Sequence, residues 1–204
     1  MFPITRKRII PPFKKLGYTS LASYDQYTMA ASSNILSADY WKNTVAFNSL
    51  EDKMTQIKYY QQNGAAPEVL KLVDLESKPF GSVSENMMSE LFQMGKRTSS
   101  QNDGVRKSKK GEIKCARYWA GKDDCRWQHL EPDHDYEFAL FCLLDFHGWK
   151  VWAIKKSMLM GELREKKIVT FQGKQGWWLT KNAALPYLTE INTLEDLDMF
   201  LDSV

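Results

Sequence analysis

The sequence predicts an α/β (α+β) domain: helices first, then a mixed sheet, then a short closing helix. Three observations carry this. Before residue 95, apolar residues recur at helical spacing between Gly and Pro punctuation. After residue 100 the period shortens to two. Phe138–Leu144 is then an unbroken apolar run, the pattern of a strand buried on both faces.

Taken in order, residues 1–45 are irregular, with Pro3, Pro11 and Pro12 among many Ser, Tyr and Asn. Ser49 with Asp52 resembles a capping box, and Leu50, Met54 and Ile57 follow at helical spacing until Gly64. Pro67 suits the first position of a second helix carrying Val69, Leu70 and Val73. Gly81 and Ser82 open a third. Ser82 with Glu85 forms another capping box, and Met88, Leu91 and Phe92 make its apolar stripe before Gly95. Residues 112–117 read as a strand, with Glu112 and Lys114 on one face and Ile113 and Cys115 on the other. After the run at 138–144, Asp145–Gly148 makes a turn and Trp149–Ile154 returns as a strand. Ile168–Phe171 and Trp177–Leu179 form a peripheral pair. Thr193 with Asp196 caps a last helix bearing Leu194, Leu197 and Leu201.

Composition narrows the function. The 204 residues are 43% hydrophobic and 13% aromatic with seven Trp, which is enough for a core and excludes general disorder. A run of seven apolar residues is too short for a membrane span, and the basic N-terminus lacks a signal-like apolar stretch. Cys115, Cys125 and Cys142 make neither a disulfide framework nor a CxxC zinc knuckle, so the expectation is a soluble domain of a reducing compartment. The chain contains no GxxxxGK[ST], GxGxxG or GxSxG, which removes nucleotide-driven and acyl-transfer enzymes. His129 and His134 bracket Glu131 and Asp133 without the spacing of an HNH or zinc site.

The net charge of +3 conceals segregation. Arg6, Lys7, Arg8, Lys14 and Lys15 stand in an acid-free N-terminus. Residues 96–110 carry six bases and one acid, whereas the last 18 residues carry five acids and no base. A basic face suits a polyanion, because Lys and Arg displace counterions condensed on phosphates. The acidic closing helix is expected to face away from that partner.

The chemistry concentrates at Asn102-Asp103-Gly104 and Gly111-Glu112-Ile113-Lys114, joined by the basic run Lys107–Lys110. Read as a hairpin, this connection brings Asp103 beside Glu112. Two adjacent carboxylates repel unless a cation sits between them, and hard oxygen ligands favour Mg²⁺ or Mn²⁺. Lys114 points to the same side as Glu112. Beside a metal-bound water and a phosphodiester, it can orient or deprotonate that water and stabilise charge on phosphorus.

Asp103–x8–Glu112-Ile113-Lys114 resembles the PD-(D/E)XK motif of the restriction-endonuclease-like nuclease superfamily, in the form of type II restriction endonucleases with an Asn-Asp pair. The likeness covers residues 81–155 and lacks the Pro before Asp103. It implies a restriction-endonuclease-like mixed central sheet flanked by helices. It also implies that Asp103, Glu112 and the Ile113 carbonyl hold Mg²⁺ (Mn²⁺ substituting) and that Lys114 assists the attacking water. Glu85, on an upstream helix, is similar to a further acid lining such sites; read alone, it is equally a capping-box residue. One nuclease domain over 1–204 is expected: a helical N-terminal segment at 1–80 for dimerisation or DNA wrapping, a catalytic core at 81–155, and C-terminal strands and helix at 156–204. The partner would be double-stranded DNA cut by a homodimer, with contacts from Asn102, Lys107, Lys109, Lys110, Arg117 and Gln128. The setting would be the nucleoid of a prokaryotic cytoplasm. Within nucleases, a junction resolvase, a repair nickase or a restriction-enzyme subunit stays open. Outside them, so does a non-catalytic DNA-binding or regulatory module in which Glu112–Lys114 is an exposed ion pair.

Overall fold

The computed structural model describes residues 36–38, 42–50 and 53–204, and the chain divides into two compact units, 1–53 and 54–204. In the first unit the described residues include a short helix, α1 (Val45–Asn48), capped by the Thr44 hydroxyl, which accepts from Phe47 N at 3.2 Å. The basic residues Arg6 to Lys15 lie outside the described residues.

The second unit begins with α2 (Gln56–Gln62), α3 (Pro67–Val73) and α4 (Ser77–Leu91). The first of these starts later than the sequence indicates. Ser49 closes α1, and Thr55 provides the cap by accepting from Lys58 N at 3.2 Å. Helix α4 starts earlier than indicated. Pro79 falls in its first turn, where the missing N–H has no intrahelical partner to lose, so the helix runs through Gly81 and Ser82. Ser82 is therefore mid-helix and caps nothing. Tyr60, Val69, Val73 and Phe80 all enter the core, so residues 54–80 are part of the sheet-bearing unit.

The strands are β1 (Gly104–Arg106), β2 (Lys109–Arg117), β3 (Arg126–Leu130), β4 (Phe138–Leu144) and β5 (Trp149–Lys155), then β6 (Thr170–Phe171), β7 (Trp177–Thr180) and β8 (Thr189–Glu190). Short helices α5 (Lys156–Met160), α6 (Glu162–Glu165) and α7 (Lys181–Ala184) intervene, and α8 (Leu194–Leu201) closes the chain. A five-stranded sheet runs β1-β2-β4-β5-β8 and a three-stranded sheet runs β3-β7-β6. Among the described strands only the β2–β4 pair is parallel. This is a mixed α/β fold with helices flanking a mixed sheet. Among the described residues no helix is long and apolar enough to cross a membrane.

All seven residues of β4 are buried because both sheet faces are covered. Phe138, Leu140 and Cys142 pack with Met88 of α4, with Phe92 at its C-terminal cap, and with Leu197 and Leu201 of α8. Ala139, Phe141 and Leu143 pack on the opposite side with Tyr60 and Trp127. The parallel β2–β4 pair requires a long crossover, and residues 118–137 supply it. That crossover lays β3 over one face of the large sheet. Trp127 stacks on Phe141 with centroids 4.8 Å apart, and its indole N–H donates to the Cys142 carbonyl at 3.0 Å. Phe141 is the register partner of Lys114, so β3 covers the face from which Glu112 and Lys114 project.

Candidate active site

The β1–β2 hairpin sets the site. Its two-residue connection, Lys107-Ser108, has φ of 47° and 64°, the left-handed pair that a type I′ turn requires. Gly104 faces Gly111 across the ladder, and neither position has room for a side chain. A Cβ on Gly111 would stand 2.5 Å from Phe138 Cζ, and one on Gly104 2.9 Å from the Gly95 carbonyl. The close approach fixes Asp103 beside β2.

Asp103 N–H donates to the Gly111 carbonyl at 2.9 Å, and Asp103 Oδ2 accepts from Ile113 N–H at 2.7 Å. The hairpin thus does what the sequence predicts. β1 pairs no further than Gly111, and Asp103 occupies the edge that β1 leaves open. The N–H and C=O of one strand residue share an edge, so the Ile113 carbonyl is on that same edge.

Glu112 and Lys114 project from the face under β3. Lys114 Nζ stands 2.5 Å from Glu112 Oε1, with side chains 17% and 6% exposed. This is a buried pair, where the non-catalytic reading expects an exposed one. Glu85 comes from the third turn of α4 and lines one cleft with Lys114. Burial raises the Glu85 carboxyl above its ordinary value. Lys114 opposes this, and the charges of Asp103 and Glu112 add to it. Glu112 is raised in the same way, by burial first and then by Asp103 against the pull of Lys114. Burial alone would lower Lys114, but Glu112, with Asp103 and Glu85 behind it, reverses this and holds the ammonium above its ordinary value. The charges of three carboxylates therefore act on one lysine, which pairs directly with Glu112.

The cleft has a volume of about 550 Å³, and its lining also includes Arg117, Trp119, Arg126 and Gln128. Of the six expected DNA contacts, Gln128 and Arg117 reach it. Arg117 is committed elsewhere: its Nη1 donates to the Val73 and Leu75 carbonyls at 2.6 and 2.7 Å, closing the C-terminus of α3, and its guanidinium lies 4.3 Å from the Phe80 ring. Asn102 is buried, with its amide bonded to Thr98 and Ser99, so it shapes the loop entering Asp103 and is not presented to a ligand.

The basic hairpin also differs from expectation. Lys107 pairs with Asp202, Lys109 with Glu137 at 3.3 Å, and Lys110 with Asp135 at 2.5 Å. Arg106 makes a bidentate pair with Asp198 at 2.7 and 2.8 Å. The acidic helix α8 thus packs against the basic hairpin, where the sequence reading has it facing away. Arg106 and Asp198, like Lys107 and Asp202, are more than ninety residues apart, and charge segregation alone gives no sign of their meeting. The sequence reading also misses Tyr136, whose buried hydroxyl has no hydrogen-bond partner and whose ionisation burial and then Glu112 oppose.

Compared with known proteins, the chain matches no protein-family model and no curated protein sequence. What it does rests on its own geometry.

Among the described residues no three His, Cys, Asp or Glu side chains stand close enough to cage an ion. The donor set at the β2 edge is two carboxylates and a peptide carbonyl. Mg²⁺ suits such a set, since it is held by one or two carboxylates plus waters and substrate phosphate and needs no all-protein cage.

Proposed function

We propose that this chain is a Mg²⁺-dependent, site-specific endonuclease that hydrolyses phosphodiester bonds of double-stranded DNA, as type II restriction enzymes do. The observation that carries the reading is Asp103 bonded to Ile113 at the open edge of β2, next to the buried Glu112–Lys114 pair, with Glu85 lining one cleft with Lys114. Asp103, Glu112 and the Ile113 carbonyl would hold the ion. When bound, a divalent ion supplies a water of lowered pKa and neutralises phosphate charge. Lys114, kept charged by Glu112, donates a hydrogen bond to the attacking water and sets positive charge beside the phosphorus as negative charge develops there. Glu85 lines the site and adds a third carboxylate to its charge. The fold would be of the restriction-endonuclease-like kind. Two copies related by a two-fold axis would cut the two strands of a palindromic site.

Digestion of phage DNA with and without Mg²⁺, followed by mapping of the ends, tests this. Discrete fragments with one common end sequence, abolished by EDTA, are expected. Intact DNA in both Mg²⁺ and Mn²⁺ would contradict it.

A further inference from the structure

Arg126 begins β3, which among the described strands pairs with β7 alone, and it reaches the cleft that holds Lys114 and Glu85. Its guanidinium lies 3.3 Å from the centroid of the Trp178 ring and 5.1 Å from that of Trp119. Its Nε is buried without a hydrogen-bond partner, and so is the neighbouring Trp178 Nε1. Among the described residues no acid pairs with it, whereas Arg106, Lys107, Lys109, Lys110 and Lys181 each have one. A guanidinium with no acid partner on a cleft wall is placed to take its acceptor from a ligand in the cleft.

We propose that Arg126 is a specificity-determining residue of this chain, held against Trp178 and Trp119 so that its fork donates to O6 and N7 of a guanine in the major groove. The inference rests on the nuclease reading for the occupant of the cleft. Stacking against indole fixes the plane of the guanidinium and leaves its donor edge for two in-plane acceptors. Guanine offers such acceptors, and so do two phosphate oxygens. The neighbouring residues favour the base. Gln128 lies in the same cleft two residues along β3, and so does His129. The ladder to β7 is broken between Trp127 and Leu130, where His129 has φ of 56°. Such bulges re-aim side chains beside active sites.

The test is digestion of a duplex library with a randomised central segment by wild type and by Arg126→Lys in Mg²⁺, with the cut ends sequenced. Lysine keeps the charge and loses the fork. The expected result is that preference for one G·C pair in each half-site falls about ten- to a hundredfold while the other positions keep theirs. An unchanged preference overturns the proposal. So does an equal loss over all sequences, which would mark a phosphate contact. If wild type cuts no member, the nuclease reading fails, and retention of the same library on the two proteins decides the base-reading role separately. A G-containing motif selected by wild type and lost in Arg126→Lys supports it; no selected motif overturns it. Should Arg126→Lys not melt cooperatively, Trp178→Phe replaces it in the same comparison. That variant leaves the guanidinium but alters its support, and it is expected to weaken the same single preference.

Discussion

Glu85 shows how much the position of one residue decides. At the start of a helix it would be a cap. In the third turn of α4 it has no backbone N–H to satisfy, and it faces the field of Asp103, Glu112 and Lys114. A glutamate whose carboxyl is raised on folding binds its proton more tightly folded than unfolded. The stability it contributes is complete below the ordinary 4.5 and is lost as pH rises through the folded value. Glu112 is raised in the same sense, so these two carboxyls together cost the metal-free protein stability as pH rises above about 4.5. Glu85→Gln removes one such group. Thermal melts between pH 4 and 8 should show a shallower decline for the variant and a melting temperature about 1–3 °C above wild type at pH 7. Its cleavage should be about tenfold slower or worse. Parallel pH profiles with wild-type turnover would remove Glu85 from the site.

At the scale of elements, the hairpin matters most because it alone brings Asp103 to β2. Gly111→Ala drives a methyl into Phe138 and Met94 and should destabilise by about 1–3 kcal/mol in denaturant titrations, with activity falling as the register gives way. The turn is suboptimal in the opposite direction. Lys107 and Ser108 both sit at positive φ, so Lys107→Asn with Ser108→Gly should stabilise by about 0.5–1 kcal/mol and leave cleavage unchanged. No gain in stability would mean that the Lys107–Asp202 pair outweighs the turn strain. Strand β4 was legible in the sequence because seven apolar residues in a row admit few other placements. The pairing of Asp103 with β2 was legible because a short connection between two strand patterns leaves one geometry. The start of α4 was not, since Gly81-Ser82 mimics a helix start and Pro79 mimics a stop. Nor was β3: a bulge at His129 breaks its alternation, and its partner β7 lies some fifty residues on.

For the whole molecule, charge is arranged differently from its arrangement in the chain. The basic hairpin and the acidic tail neutralise each other across the fold, so the +3 net charge is not gathered on that hairpin. Neutralising Lys107, Lys109 and Lys110 together should therefore change the slope of log K against log[salt] for DNA by less than about one unit. A flattening of about two to three units, one for each lysine, would show that all three leave their acids for phosphates on binding. The central claim is that Asp103, Glu112 and Lys114 form one phosphodiester-cleaving site, and Lys114 decides it. The most direct measurement is the rate of supercoiled-plasmid cleavage by Lys114→Ala beside wild type in Mg²⁺, on proteins with matched melting curves. Wild type is expected to cut, and the variant's rate to fall at least about a thousandfold with DNA binding within about tenfold. Equal cleavage rates would contradict it.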